Sequence, residues 1–270
     1  MEDFLTLVML WRSDKGISVA ADTRISDGRS PITDAGPKLF QIPIGVMPFG
    51  LDAKIQRFAD VGFAFAGNTL SAQSTVSMAS TCLQNLVGPE PIVSPSLAEI
   101  SDYVCRCAEY IVRSREFTRP NDSSRFEAAI FGYCKRDERF AAYVLEFESD
   151  ENALATARLI EFDLTTQVLL LGSGSQKVRK LLDLQMAKKA IPVHPTSLLA
   201  AIIDDPEEQS VGGNFQYAMG DENGVRLAPA AALVGPHQFE FRVLGCRIME
   251  LGDIAGMYPA NAHIRGPDLP

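Results

Sequence analysis

Alternating and short continuous apolar runs predict β-strands that fall in three blocks along the chain. A hairpin around the turn Ser13–Gly16 opens the first block, and a polar loop over 119–125 precedes the second. The predicted strands cover 5–12, 16–24, 38–44 and 61–66, then 126–134, 140–147, 157–162 and 167–171, and finally 214–219, 225–227 and 239–251.

Apolar residues at helical spacing predict two pairs of helices between these blocks. The first pair covers 68–87 and a segment starting at Ser96, where Glu99 three residues later completes a capping box. The second pair covers 176–190 and 196–204. Hairpin blocks separated by helix pairs favour an antiparallel layered α+β fold over alternating βαβ units.

Composition narrows the class of protein. The 270 residues are 46% hydrophobic and 22% charged, with a formal net charge of −9. This acidic balance argues against a nucleic-acid partner, because no basic stripe is present to neutralise phosphates. No apolar stretch reaches the roughly 18–20 residues that a membrane helix needs. Acidic residues precede the apolar run 4–11, unlike in a signal peptide. We therefore expect a cytoplasmic, single-domain protein without a membrane partner.

The cysteines give no sign of a metal or disulfide framework. Five is an odd number, and they are widely scattered. Cys105 and Cys107 are two residues apart on a predicted helix and so point to different faces. We interpret all five as reduced thiols in the core.

Two charged residues end the second predicted strand, in the segment GISVAADTR (16–24). Asp22 and Arg24 there could form an ion pair at a sheet edge, which contributes little to stability. Alternatively, they belong to an active site. Taken alone, Thr6 would be an ordinary strand residue and Lys38 a solvated lysine at a strand edge.

The spacing of these residues favours the active site. Asp22 lies sixteen residues after Thr6 and Lys38 thirty-two after it, with Gly28 in the intervening turn. In this spacing the chain resembles the β-type subunits of the proteasome family, which are N-terminal-nucleophile hydrolases, and in particular a bacterial proteasome-type peptidase. The likeness covers 6–44 and 61–234, interrupted by an insertion over 45–60.

Two further motifs support the resemblance. The segment FAFAGNTLSA places Gly67 where the family has the glycine of its oxyanion hole, between a strand and a helix. The segment GSGS (172–175) matches the family's strand-to-helix turn and its serine, here Ser173. The resemblance implies a four-layer αββα sandwich of two antiparallel sheets flanked by helices. It implies one domain over 1–270, with 1–5 as a propeptide and 235–270 as a C-terminal strand and extended tail.

The resemblance also implies a chemistry that the residue types can perform. A threonine hydroxyl is a weak nucleophile and needs a base, and a free α-amino group titrates at about pH 7.7–8.0. Lys38 would lower the pKa of that amine and of the hydroxyl, and Asp22, with Arg24 in support, would hold Lys38. The Gly67 N–H would bind the oxyanion, and Ser173 would complete the hydrogen bonds around the amine.

One block departs from the family pattern. The expected D-x-x-S-G-G reads here as Glu207, then Glu208-Gln209, then Ser210 and Val211-Gly212-Gly213, with one extra residue. By alignment, Glu207 and Ser210 are the expected supporting residues.

The same resemblance assigns a substrate pocket. Phe65, two residues before the oxyanion glycine, would form its floor, and Ile25, Gly36 and Thr69 its walls. A bulky floor predicts a shallow pocket that favours small side chains at the cleaved position.

Catalysis of this kind requires Thr6 to carry a free amine. Five residues precede it in the sequence, so we expect either self-cleavage of the Leu5–Thr6 bond or a true start different from the one written. Methionine removal is not expected, because Glu2 is large. Leu5 also replaces the glycine that commonly precedes the nucleophile.

The sequence therefore favours a threonine endopeptidase that cleaves peptides or unfolded proteins inside a homo-oligomeric ring, with an ATPase unfoldase as a candidate partner and no metal or organic cofactor. Two alternatives remain open, namely a catalytically silent structural subunit and an amidase for a small molecule on the same fold. A dinucleotide-binding reading of VLLLGSGSQKV fails, because Lys177 occupies the third glycine position. The acidic run 204–208 is either a cation site or, as we prefer, a solvated helix end.

Overall fold

The computed structural model describes most of the chain. The described residues are 6–26, 30–50, 54–119, 124–150, 154–165, 167–187, 194–208, 210–235, 238–247 and the single positions 250, 252 and 254. The turn glycine Gly28, the expected propeptide 1–5 and the end of the tail lie outside them.

The described residues form four helices and eighteen strands. The helices are α1 (Thr69–Leu83), α2 (Leu97–Thr118), α3 (Ser175–Ala187) and α4 (Pro195–Ile203). The strands are β1 (Val8–Ser13), β2 (Gly16–Asp22), β3 (Ile25–Ser26), β4 (Pro31–Thr33), β5 (Leu39–Ile42), β6 (Gly45–Pro48), β7 (Gln56–Arg57), β8 (Val61–Gly67), β9 (Leu86–Gly88), β10 (Phe126–Cys134), β11 (Arg139–Ser149), β12 (Ala155–Phe162), β13 (Leu169–Leu171), β14 (Phe215–Asp221), β15 (Gly224–Ala228), β16 (Ala230–Gly235), β17 (Gln238–Val243) and β18 (Cys246–Arg247).

Two five-stranded antiparallel sheets organise the molecule. The first has the order β13-β1-β2-β14-β15 and the second the order β12-β11-β10-β8-β5. The β1–β2 hairpin closes with Ser13 opposite Gly16, as the sequence predicts, and Phe215 of β14 lies opposite Asp22. Asp22 therefore lies at the end of β2, the middle strand of the first sheet.

Three hydrophobic clusters hold these elements together. One joins the two sheets through residues such as Val19 of β2, Ala64 of β8 and Phe131 of β10. A second packs α1 and α2 on the second sheet, and a third packs α3 and α4 on the first. Because both faces of each sheet are covered, the strands near the site are buried on both sides.

The element types agree with the sequence predictions, including the capping box of Ser96 and Glu99 on α2. Two predictions are wrong in detail. The first helix ends at Leu83 rather than at 87, and the next residues form β9, which pairs with β6 of the 45–60 insertion. The described part of the segment 239–251 forms two strands, β17 and β18, because Leu244 and Gly245 both take positive φ and turn the chain. The strand over 230–235 is not apparent in the sequence.

Within the described parts of the chain, no helix is long and apolar enough to cross a membrane.

Candidate active site

The side chains of Thr6, Asp22 and Lys38 meet in one buried cluster. Thr6 lies two residues before β1, Asp22 ends β2, and Lys38 immediately precedes β5 of the other sheet. The Thr6 hydroxyl donates to Asp22 Oδ1 at 2.9 Å, and Lys38 Nζ donates to the same oxygen at 2.7 Å. Lys38 Nζ also contacts the Thr6 hydroxyl oxygen directly. All three residues are at most 2% exposed.

Backbone donors stabilise the Asp22 carboxylate in this position. Its Oδ1 accepts from the N–H of Leu7 at 3.0 Å. Its Oδ2 accepts from the N–H groups of Arg24 at 3.1 Å and Gly212 at 3.2 Å. These backbone hydrogen bonds compensate the carboxylate for the water that it loses on burial. Asp22 is therefore equipped to face a cation.

Burial also acts on the lysine. Desolvation lowers the pKa of Lys38 below its usual value, while the neighbouring Asp22 acts in the opposite direction. The proton on Nζ is thus held less tightly than on a solvated lysine. A lysine in this state can donate to the Thr6 oxygen and respond to charge changes there.

Arg24 supports the same region from outside. Its Nε donates to Asp34 Oδ1 at 2.7 Å, and its guanidinium lies where a side chain on Gly212 would have to be. This ion pair lowers the pKa of Asp34, chiefly through the hydrogen bond. Arg24 holds the loop around Gly212, and through it one of the donors to Asp22.

The GSGS turn packs against the backbone of Thr6. Gly172 has a φ of +86°, and a Cβ added there would lie 2.3 Å from the Thr6 carbonyl oxygen, so only glycine fits. The Gly174 N–H donates to that carbonyl oxygen at 3.2 Å. Ser173 Oγ lies 3.1 Å from Ser210 Oγ. Glu127 of β10, whose pKa is raised by burial, accepts from the Gly172 N–H at 3.2 Å.

Glu208, rather than Glu207, contacts Ser210. The Ser210 hydroxyl donates to Glu208 Oε1, whereas the Glu207 side chain is exposed. Glu208 thus takes the position beside Ser210 that the alignment assigns to Glu207, whose backbone N–H bonds to Asp205 Oδ1 at 2.9 Å. Lys177 of α3 pairs with Asp205 and lies 4.0 Å from Glu208.

Gly67 ends β8 directly before the first turn of α1. It has a φ of +110°, and the next residue, Asn68, caps the helix by accepting from the Ser71 N–H at 3.0 Å. A positive φ at a strand end turns the backbone sharply, and glycine adopts it without steric cost. Gly67 thus lies between a strand and a helix, as the sequence predicts.

The structure describes all four expected pocket residues. The Ile25 side chain fills the space beside Gly36, where a Cβ would meet it at 2.2 Å. Phe65 is 1% exposed, and its ring stacks on Phe40 at a centroid distance of 6.2 Å. Thr69 begins α1.

In the parts of the chain that the structure describes, no group of three or more histidine, cysteine or acidic residues could hold a metal ion. The five cysteines are free. Burial raises the pKa of Cys105 and of Cys107 to about 11, so these thiols stay protonated.

The fold is similar to that of solved Anbu proteins. The helical assembly of the Anbu complex from Pseudomonas aeruginosa gives a TM-score of 0.53 at 17% identity, covering 78% of this chain and 80% of that one. A Gly-1 mutant of Anbu from Hyphomicrobium sp. strain MC1 gives 0.50 at 16% identity, covering 82% and 84%. Anbu (ancestral beta-subunit) from Yersinia bercovieri gives 0.49 at 18% identity, covering 78% and 80%.

At these identities the first two matches concern the fold alone and fit the expected proteasome-like fold, while the four-layer arrangement stays a prediction. No protein-family model and no curated protein matches the chain.

Proposed function

We propose that this chain is a threonine-type peptidase of the N-terminal-nucleophile class, built as a four-layer αββα sandwich. The observation that carries the proposal is the buried contact of Lys38 with both Thr6 and Asp22. A lysine and a carboxylate placed together against one hydroxyl serve to activate that hydroxyl. A sheet-edge ion pair, the alternative for Asp22 and Arg24, would leave Asp22 exposed, whereas its exposed fraction is 0%.

The reaction begins once the Leu5–Thr6 bond has been cleaved. The Thr6 hydroxyl attacks the substrate carbonyl while its own α-amine accepts the hydroxyl proton. The carbonyl oxygen becomes an oxyanion, which the Gly67 N–H binds. The α-ammonium then gives its proton to the leaving amine, the C–N bond breaks, and an ester on Thr6 remains. Water attacks this ester with the α-amine again as base, releasing the acid and regenerating Thr6.

The other site residues support these reaction steps. Lys38 lowers the pKa of the hydroxyl and of the α-amine by its charge, and Asp22 keeps Lys38 in place. Ser173, whose hydroxyl lies 3.1 Å from that of Ser210, would complete the hydrogen bonds around the amine, and Glu208 would orient Ser210. Phe65, with Ile25, Gly36 and Thr69, shapes the pocket for the side chain on the acyl side of the cleaved bond.

The setting for this chemistry is a chamber formed by copies of the chain. The Anbu structure from Pseudomonas aeruginosa is a helical assembly, and the shared fold supports self-association here. We infer that a homo-oligomeric ring encloses Thr6 and admits peptides or unfolded proteins, with an ATPase unfoldase as supplier. Cytoplasmic location follows from this proposal.

Peptide hydrolysis by the purified assembled protein tests the function. Fluorogenic peptides with small residues at the cleaved position should be hydrolysed by the wild type and by Thr6→Ser, but not by Thr6→Ala at the same state of assembly. Hydrolysis that survives in Thr6→Ala would reject the assignment. Turnover of small amides but not of peptides would favour the amidase alternative.

A further inference from the structure

Gln216 of β14 lies between the backbone segments that carry Asp22 and Lys38. Its exposed fraction is 0%. Its Oε1 accepts from the N–H of Lys38 at 3.0 Å and of Leu39 at 3.2 Å. Its Nε2 donates to the carbonyl oxygen of Asp22 at 2.9 Å and to that of Gly36 at 3.1 Å.

These four hydrogen bonds use the whole capacity of the amide, which has two donor hydrogens and two acceptor lone pairs. They also fix its orientation, because a flipped amide would face two N–H groups with its NH₂ and two carbonyls with its oxygen. A buried polar group that is fully satisfied makes its surroundings rigid and specific. Gln216 is therefore a rigid connection and not a filler of space.

The connection joins the two sheets at the site. Gln216 lies opposite Ala21 in the first sheet, one residue before Asp22. Lys38 leads into β5, an edge strand of the second sheet that pairs with β8. The Lys38 carbonyl accepts from the Phe65 N–H of β8 at 3.2 Å, while its N–H goes to Gln216. One side of the Lys38 peptide is thus held by its own sheet and the other by Gln216.

We propose that Gln216 is the positioning residue of this site: it fixes the backbone of Lys38 relative to that of Asp22 and so sets where the ammonium lies against Thr6. The proposal rests on the proposed function for its catalytic consequence. The lysine stem is flexible, so its ammonium is placed by where the stem begins and by its partner. A buried ion pair is favourable only in good geometry, which makes the origin of the stem decisive.

The experiment compares Gln216→Met with Gln41→Met. Methionine keeps the approximate volume of glutamine and removes its hydrogen bonds. Gln41 is the matched control, because it lies on β5, the strand that Lys38 leads into, and its Nε2 also reaches across elements, to the Val225 carbonyl and to Asp60 at 3.4 Å. Crystal structures, unfolding midpoints and rates of Thr6 labelling by an electrophilic threonine-directed probe are measured for both variants and the wild type across pH.

In the Gln216→Met structure we expect the Lys38 Nζ–Asp22 Oδ1 distance to exceed the 2.7 Å of the native chain. The labelling rate should fall by about 10- to 100-fold, as a displacement near 1 Å produces, with a shifted pH profile. Gln41→Met should keep the native distance and profile even where it lowers the unfolding midpoint. A native distance and profile in Gln216→Met would overturn the proposal, as would an equal shift in both variants.

Two further outcomes are separable. If Thr6 of the wild type is not labelled, the proposed function fails, and the crystal distance still decides the role of Gln216. If Gln216→Met does not fold, Gln216→Glu replaces it, because its carboxyl keeps an acceptor for Lys38 and regains one donor on protonation. Its labelling rate relative to the wild type should then rise as the pH falls, and a ratio that does not change with pH would contradict the proposal.

Discussion

Lys38 Nζ lies 2.7 Å from Asp22 Oδ1, and the two side chains are 3% and 0% exposed. The pair joins the start of β5 in one sheet to the end of β2 in the other. Removing one member of such a pair leaves a buried charge without its partner, whereas replacing both members by neutral groups avoids that cost. The pair can therefore be tested separately for stability and for catalysis.

Lys38→Met should abolish peptide cleavage and also lower the free energy of unfolding by about 3–5 kcal/mol, because Asp22 is left without its cation. Taken alone in the sequence, Lys38 could be a solvated lysine at a strand edge, but its burial in the structure makes a stability cost unavoidable. Chemical denaturation and peptide hydrolysis measure the two effects.

The control is the double variant Lys38→Met with Asp22→Asn. It should recover part of the lost stability, because no unpaired charge remains, and should stay inactive. Wild-type cleavage rates in either variant would exclude Lys38 from the site.

The value of kcat/KM should decrease at high pH, with a midpoint below pH 10.5, the ordinary pKa of lysine. The proposed reaction needs charged Lys38, and burial favours the neutral form, so activity is present below the pKa of Lys38 and lost as pH rises through it. Lys177 is the internal control, because its hydrogen bond with Asp205 raises its pKa. Lys177→Met should therefore leave this decrease in place. A plateau extending to pH 10.5 in folded protein would contradict the assignment.

Glu208→Ala should slow peptide cleavage by about 10- to 100-fold, because Ser210 loses the acceptor that orients it. Glu207→Ala should stay within about twofold of the wild type, since its side chain is exposed. The pair of neighbouring glutamates makes a matched comparison, read as kcat for one peptide. A larger effect at Glu207 would restore the assignment made by alignment.

The substrate pocket should favour small side chains at the cleaved position. Phe65 is buried and stacks on Phe40, and Ile25 occupies the space beside Gly36, so these expected lining residues leave little room for a large side chain. A peptide library profiled by mass spectrometry measures the preference, and Phe65→Ala should extend it to larger residues. A native preference for aromatic or long basic residues would show that the pocket is formed elsewhere.

Much of the fold and the main cluster could be predicted from the sequence, because short-range rules determine them. The turn at Ser13–Gly16 fixes the β1–β2 hairpin, and the hairpin places Thr6 near Asp22. The capping box of Ser96 and Glu99 fixes the start of α2. The place of Lys38 in the cluster was expected from its spacing after Thr6 together with the resemblance of the chain to the proteasome family.

Two site residues escaped because their signals are not local. Gln216 lies in a strand whose larger residues, Phe215 and Tyr217, suggest the buried face, yet both faces of its sheet are covered. Its partner Lys38 is 178 residues away. Glu208 depends on the backbone of a single turn, where a shift of one residue exchanges an inward side chain for an outward one. Neither feature can be read from alternation or spacing.

The intact mass of the assembled protein tests the central claim most directly, since every catalytic step requires a free amine on Thr6. Wild-type protein should lack residues 1–5 and carry one adduct at Thr6 after treatment with an electrophilic threonine-directed probe, while Thr6→Ala should retain the full chain and no adduct. A full-length, unlabelled wild-type chain in the assembled particle would contradict the account and identify the protein as a structural subunit.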